Sequence, residues 1–415
     1  MYSGFDLTGI RGIVEEIEHS EAPWRKKARE RIERYRKARM TIQTLDSNGM
    51  PAPGVEVSIK LLRHAFHFGG VITANAFSRN EAAHKKAFSE MGFNSAGFCN
   101  SLKYKLNKGK GKKNVKDIIK WLRSKNIYVR GHCLIWPGCG HLPSSISKIV
   151  RAKQQDKRKL EETCAAMIAE WAAQWDVDEW DVINEPRGNH DVQDILGYGV
   201  EKQWFDIARK HVKNGKKVRL CFNDNRIISD LVKNGHETLT DRILKYRANL
   251  ERLIQEKAPL DFLGFQSRFA TKIPPEIIYE RLRVFDKYKL PLVATEFEMR
   301  NSIGTEEEKA KYTAVVMTVY FSHPLVDGIY AWSLSPRNDK REIMNGDGSP
   351  NLRGKIWLYL TKNRWSTRTI LTTGPDGKAT TKAFKGTYEI KAKRGNKETT
   401  IETNLEDDKT LTIKL

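Results

Sequence analysis

A (β/α)8 barrel, a TIM barrel, carrying a small β-sandwich-like module built from the N- and C-terminal strands is the fold this sequence predicts. Three observations predict it. Between residues 64 and 334, eight short apolar segments recur, and longer amphipathic stretches with helical spacing fill most of the gaps. Both ends of the chain instead alternate apolar and polar residues around turn-forming Gly, Pro, Asn and Asp. The length of 415 residues, 39% hydrophobic, suits one large and one small domain.

Residues 1–37 form an extension, in which GIVEEIEHSEAPWRKKARERIERYRK (12–37) reads as a charged helical lead-in broken at Pro23. The segment RMTIQTLDSNGMPAPGVEVSIKLL (39–62) alternates around a Ser-Asn-Gly-Met-Pro turn and predicts a β-hairpin. Residues 366–415 hold further short strands separated by Gly-Pro-Asp-Gly, Lys-Gly, Arg-Gly-Asn and Glu-Asp-Asp. A two-stranded hairpin is marginal by itself, so residues 38–63 and 366–415 are expected to share one module. That module is expected to act as a clasp, because Phe384 and Tyr388 are too far apart to form an aromatic binding row.

Residues 64–365 are expected to form the barrel. Its strands are read in HAFHFGGVI (64–72), FNSAGFCN (93–100), IYVRGHCLIW (127–136) and WDVINEP (180–186). They continue in VRLCFND (218–224), FLGFQSRF (262–269), PLVATEFEM (291–299) and GIYAWSL (328–334). Two helices are legible from spacing alone: 155–175, where Leu160, Cys164, Met167, Ile168 and Trp171 fall on one face, and 306–321.

In a parallel barrel, chemistry sits at the carboxyl ends of the strands. Those ends carry Asn100 and Lys103, His132 and Trp136, Asn184 and Glu185, Asn223 and Asp224, Gln266 and Arg268, Glu296, and Trp332. Asn, Gln and Glu are poor strand formers, and burying one unpaired costs about 1–3 kcal/mol. So many at one rim imply a polar ligand, and aromatic rings beside amides and carboxylates suit a sugar. Taken alone, Glu185 could be a solvated residue in a strand-ending turn, and Glu296 a structural carboxylate. Together they suit retaining glycoside hydrolysis, which needs a proton donor and an attacking carboxylate roughly 5–5.5 Å apart. One must keep its proton near neutral pH while the other is ionised.

These residues resemble glycoside hydrolase family 10, the retaining endo-β-1,4-xylanases, from about residue 38 to the C-terminus. WDVINEP resembles the family's acid/base strand and ATEFEM its nucleophile strand. RGHCLIWPG, FCNSLKY, FNDN, GFQSRF, GIYAWSL and AFKGTYEIKA resemble further motifs of the family, in the right order. The resemblance implies Glu185 as acid/base, Glu296 as nucleophile and Asn184 as the ligand of the sugar 2-hydroxyl. Asn100, Lys103, His132, Trp136, Gln266 and Trp332 would line the glycone subsites, and Asn223 and Arg268 join the substrate-binding set. No metal or organic cofactor is implied. The expected activity is endo-cleavage of xylan, extended to glucuronic-acid-decorated xylan by the basic surface. The alternatives are the same chemistry on another acidic β-linked polysaccharide, or a catalytically weak carbohydrate-binding protein.

The departures from the family pattern are Cys99 for Glu, Tyr104 for Trp, Asn225 for Tyr, Pro137 where many members have His, and the segment SLSPRND after Trp332. The most consequential is Arg268, where the family has His. Arginine is always cationic and would hold the nucleophile ionised but less nucleophilic. It could instead clamp a substrate carboxylate, or turn toward a neighbouring acid.

The formal charge is +22; Lys and Arg are spread widely, with a denser run in KYKLNKGKGKKNVK (103–116). No helix-turn-helix, zinc-finger or RNP signature accompanies it, so no nucleic-acid partner is expected; a solvated surface or attraction to an acidic polymer accounts for it. The partner expected is a xylan-like polysaccharide, bound by a monomer. Five cysteines without CxxC pairs argue against disulfides or zinc. No apolar run long enough to span a membrane and no signal peptide is visible, so an extracellular or periplasmic location requires a removed leader.

Overall fold

The computed structural model describes residues 8–107, 110–213, 218–231, 236–334 and 341–415. Its strands, in chain order, are β1 (Lys37–Leu45), β2 (Glu56–His64), β3 (His67–Ile72), β4 (Ser95–Phe98), β5 (Tyr128–Ile135) and β6 (Glu179–Asn184). They continue as β7 (Arg219–Asn225), β8 (Phe262–Gln266), β9 (Arg268–Phe269), β10 (Leu292–Met299) and β11 (Val326–Ala331). The last five are β12 (Arg368–Thr372), β13 (Lys378–Phe384), β14 (Gly386–Arg394), β15 (Lys397–Leu405) and β16 (Lys409–Lys414).

Strands β3 to β8, β10 and β11 run parallel in sequence order, and β11 pairs with both β3 and β10, which closes the barrel. Such strands are covered on both faces, which is why they read as short continuous apolar runs. β4, β6, β8 and β10 are buried at every position. Helices fill the crossovers; those at Lys157–Gln174 and Glu306–Ser322 match the spacing-based expectation. The second has a capping box between Thr305 and Glu308. The short β9 continues past β8 and pairs only with the end of β10, setting Arg268 opposite Glu298.

The terminal segments form two sheets. One has the order β13-β1-β16 and the other β12-β2-β14-β15. They enclose a core of their own that includes Met40, Ile42, Val57, Ile59, Tyr388 and Ile390. Segment 39–62 is therefore not a hairpin, because β1 and β2 lie in different sheets. A tight turn does form, with the Asp46 carboxylate accepting from the Asn48 and Met50 amides. The returning arm, however, carries Pro51 and Pro53, which lack the N–H a ladder needs, and the chain crosses to the second sheet. Both Phe384 and Tyr388 are buried.

Before the module, helices Arg11–His19 and Pro23–Tyr35 flank the expected break at Pro23. Just after them, half-buried Arg36 lies over the Phe66 and Phe321 rings and donates to the Phe321, His323 and Val326 carbonyls. Burial pushes its guanidinium down to about 10. Among the described residues no helix is long and apolar enough to cross a membrane.

Candidate active site

Strand β6 delivers Asn184 and Glu185 to the carboxyl end of the barrel. Asn184 is 1% exposed, and its amide oxygen accepts from Asn223 Nδ2 at 2.9 Å and Gln266 Nε2 at 3.4 Å. Asn223 Oδ1 accepts in turn from Thr295 Oγ1 at 2.8 Å, so side chains of β6, β7, β8 and β10 are tied together. Gly264 makes this possible, because a Cβ there would stand 2.5 Å from Asn223 Oδ1 and 2.8 Å from Cys221 Sγ.

Glu185 takes a left-handed backbone conformation with φ of 53°, a cost of about 1–2 kcal/mol for a residue with a Cβ. Its neighbours hold it there. The Glu185 amide donates to the Asn223 carbonyl at 2.9 Å, and its own carbonyl accepts from the Gly188 and Asn189 amides. The half-buried carboxylate receives Gln266 Nε2 at 2.6 Å on Oε1 and Asn189 Nδ2 at 3.4 Å on Oε2. Its hydrogen-bond partners are thus neutral amides.

Glu296 is 2% exposed and meets charges. Arg268 Nε donates to Glu296 Oε2 at 2.7 Å, and Arg268 Nη2 donates to the same oxygen. Strand alternation puts Glu298 on the same face as Glu296. Arg268 Nη1 lies 3.7 Å from Glu298 Oε1, which also receives Arg341 Nη1 at 2.9 Å. The Arg268 guanidinium stands 4.8 Å over the Trp332 ring. Although burial opposes its charge, Glu296 and Glu298 hold Arg268 above the usual arginine value. Arg268 thus contacts Glu296, the carboxylate expected to be the nucleophile, and reaches Glu298 as well, rather than turning away from the site. A substrate carboxylate would have to compete with two protein carboxylates for the same donors.

Behind Glu296, His132 Nδ1 donates to Asp181 Oδ2 at 2.7 Å, leaving Nε2 3.8 Å from Glu296 Oε1. Arg130, 2% exposed, pairs with both Glu179 and Asp181 in the barrel interior. Burial works against the Asp181 charge, yet Arg130 and His132 hold its carboxyl below the usual range. The Cys133 thiol, pushed up first by burial, feels Lys103 and the carboxylates of Asp181, Glu185 and Glu296.

A separate cluster holds Lys103, whose Nζ lies 4.2 Å from the Trp136 ring centroid, and His141, stacked on Trp136 at 3.4 Å. Asn100 is exposed beyond β4, and its side chain joins none of these networks. Cys99 is buried against Val71 and Trp332, and Asn225 Oδ1 accepts from Arg187 Nη2 at 2.8 Å. Burial pushes the Asp224 carboxyl up to about 7, with Arg187 and the Asn225 amide opposing. Residues 108–109 of the basic stretch and 335–340 after Trp332 lie outside the described residues.

Sequence reading missed Asp181, Arg187, Asn189, Glu298 and Arg341 as members of the site. Two of them carried a signal. Asp181 and Glu298 are acids inside apolar strands, and Glu298 lies two residues from Glu296 on the same face. Among the described residues no group of three or more His, Cys, Asp or Glu is placed to hold a metal ion.

The fold and site define a parallel barrel whose carboxyl-end rim presents two differently supported carboxylates among amides and aromatic rings. Residues 59–348 match the model of glycosyl hydrolase family 10, and the chain belongs to that family. It is 26% identical over 379 residues to the anti-sigma-I factor RsgI6 of Acetivibrio thermocellus, covering 88% of this chain and 46% of that protein. It is also 26% identical over 321 residues to endo-1,4-beta-xylanase 1 of Arabidopsis thaliana, covering 75% of this chain and 32% of that protein. The chain thus spans less than half the length of either relative. Native xylanase 10B from Thermotoga maritima superimposes with a TM-score of 0.59 at 18% identity, covering 72% of this chain and 96% of that structure. An endoxylanase from a sugarcane soil metagenome gives 0.58 at 15%, covering 71% and 97%; both structures speak to the fold.

Proposed function

We propose that the protein is a retaining endo-β-1,4-xylanase in which Glu185 is the general acid/base and Glu296 the nucleophile. In the first step the Glu185 carboxyl protonates the leaving glycosidic oxygen while Glu296 attacks the anomeric carbon, giving a glycosyl ester. In the second step Glu185, now ionised, takes a proton from water; that water attacks the anomeric carbon and frees Glu296. Asn184 is the ligand of the sugar 2-hydroxyl, and His132, Gln266 and Trp332 surround the sugar bound between the carboxylates. Lys103, Trp136 and the exposed Asn100 extend the site away from the bond that breaks.

The observation that carries this reading is the contrast between the two carboxylates. Glu185 is half-exposed among neutral amides. Glu296 is buried against a cationic arginine. Opposed environments are how one site gives two glutamates two roles. The relatives named as xylanases support the substrate class, and the basic surface favours glucuronic-acid-decorated xylan. Reducing-sugar release from xylan and from glucuronoxylan tests it, with Glu185→Gln and Glu296→Gln as controls. Full activity surviving both substitutions removes the mechanism.

A second reading is favoured by Arg268 itself. Two of its donors occupy Glu296 Oε2, which must lose that support as its charge passes to the sugar. A chain slowed in this way would act as a catalytically weak carbohydrate-binding protein. Tight binding of xylo-oligosaccharides with no turnover of an activated aryl xyloside would select it.

A further inference from the structure

One cavity lies away from the rim, at the amino end of the barrel. It encloses about 780 Å³ between strand β2 of the module, the helices Glu81–Met91 and Lys110–Ser124, and the segment 361–366. Phe68, Asn94 and Ile127, at or just before the starts of β3, β4 and β5, line its inner wall.

Its charged lining has one sign. Arg63, Lys85, Lys125 and Lys362 come from four separate segments, and no Asp or Glu lines the cavity. Lys85 pairs with Glu81 along its own helix. Among the described residues, Arg63, Lys125 and Lys362 have no hydrogen-bond or ion-pair partner. Arg130, Arg219 and Arg268, by contrast, are each paired with carboxylates. Burial, with Lys60 adding to it, pushes the Lys362 ammonium down; burial does the same to Arg63 against the pull of Glu402. Lys125 and Lys362 are exposed and Arg63 and Lys85 half-buried, and like charges gathered along one cleft favour an anion among them.

The backbone is shaped to keep Lys362 there. Gly92 ends the helix Glu81–Met91 in a left-handed conformation with φ of 67°, and a Cβ on it would stand 2.1 Å from Lys362 Cε. The lysine stem therefore lies across a glycine that lets it reach the cleft. Half-buried Trp121 adds aromatic surface to the lining, backed by the buried Phe88 and Phe93.

We propose that this cavity is a second carbohydrate site, selective for a uronic-acid-bearing oligosaccharide. The cations take the uronate carboxylate through charge-assisted contacts, and the aromatic surface takes the C–H faces of the sugar rings. The ligand class rests on the polysaccharide reading of the rim; the cavity and its charge do not. Such a site would hold a decorated segment of the polymer while the opposite end of the barrel works on another.

The test uses the full chain carrying Glu296→Gln, so that no ligand is consumed. Calorimetry compares glucuronic-acid-substituted xylotetraose, plain xylotetraose and inorganic phosphate, with and without Lys125→Ser plus Lys362→Ser. The lysine pair should weaken the acidic oligosaccharide about tenfold at one class of site and leave plain xylotetraose unchanged. Phosphate should bind far more weakly than the acidic sugar. Acidic-sugar binding that ignores the lysine pair overturns the proposal, as does phosphate binding equally well, which would mark a bare oxyanion site. Hydrolysis of neutral xylan, measured with Glu296 intact, should be the same with or without the lysine substitutions. Lysine-dependent binding in a chain that cuts no xylan leaves this site standing and removes the reading of the rim; lysine-independent binding in an active chain does the reverse.

Discussion

Two acids of one residue type, Glu185 and Glu296, occupy opposite kinds of surroundings. Around Glu185 the partners are Gln266 and Asn189, both neutral, and the side chain is half-buried. Around Glu296 the partner is Arg268, with His132 nearby, and the side chain is almost fully buried. Sequence position gives both the same address, the end of a barrel strand. The difference lies in what neighbouring strands deliver. It teaches that the division of labour proposed between them rests on β8 and β9 as much as on the glutamates.

The largest effect should come from breaking the pair itself. Glu296→Gln should lower kcat/KM on xylan by ~10⁴-fold or more, because no glycosyl ester can form. Glu185→Gln should cost roughly 10²–10⁴-fold on xylan but far less in the first step on an activated aryl xyloside, whose leaving group needs no proton. Equal losses for the two variants on the activated substrate would erase the contrast.

Next comes the arginine. Arg268→Met keeps the bulk and removes the cation, leaving Glu296 without its arginine and Glu298 with Arg300 and Arg341. Breaking a buried pair on one side costs about 3–5 kcal/mol. Because Arg268 is 23% exposed, a loss nearer 2–3 kcal/mol is expected, read from urea unfolding. Unchanged stability would mean that Arg268 contributes nothing net at Glu296.

Gly264→Ala sharpens the Glu185 side. The new methyl must displace Asn223, and through it Asn184. Destabilisation of about 1–3 kcal/mol and a weaker response to the substrate 2-hydroxyl are expected, the latter seen by comparing xylosides with their 2-deoxy analogues.

The smallest effect is pH-dependent. Burial raises the Asp224 carboxyl to about 7, against roughly 3.9 in an unfolded chain. Between those values the folded state holds the extra proton, so stability falls as pH rises through the window. Asp224→Asn removes that dependence. Its Tm should match the parent near pH 4 and exceed it by a few °C at pH 8. A constant difference at every pH would contradict the assignment.

Much of the barrel was legible because parallel strands buried on both faces leave short apolar runs, and WDVINEP and ATEFEM carry acids where such runs should end. The hairpin expected over 39–62 failed because its turn residues were read without weighing Pro51 and Pro53 on the return arm. The second acid beside Arg268, Glu298, was hidden for another reason. Ser267 interrupts the strand, and only the pairing of β9 with β10 sets residue 268 opposite 298. The amino-end cavity left no local trace, since its four cations come from segments scattered between residues 63 and 362.

The most direct measurement is covalent trapping. A 2-deoxy-2-fluoroxylobioside with a dinitrophenolate leaving group slows both chemical steps and lets the glycosyl-enzyme accumulate. Peptide mass mapping should find one fluoroxylobiosyl group, on Glu296, and none when Glu296→Gln is treated alike. A label on Glu185, or no label at saturating reagent on an otherwise active chain, would contradict the account.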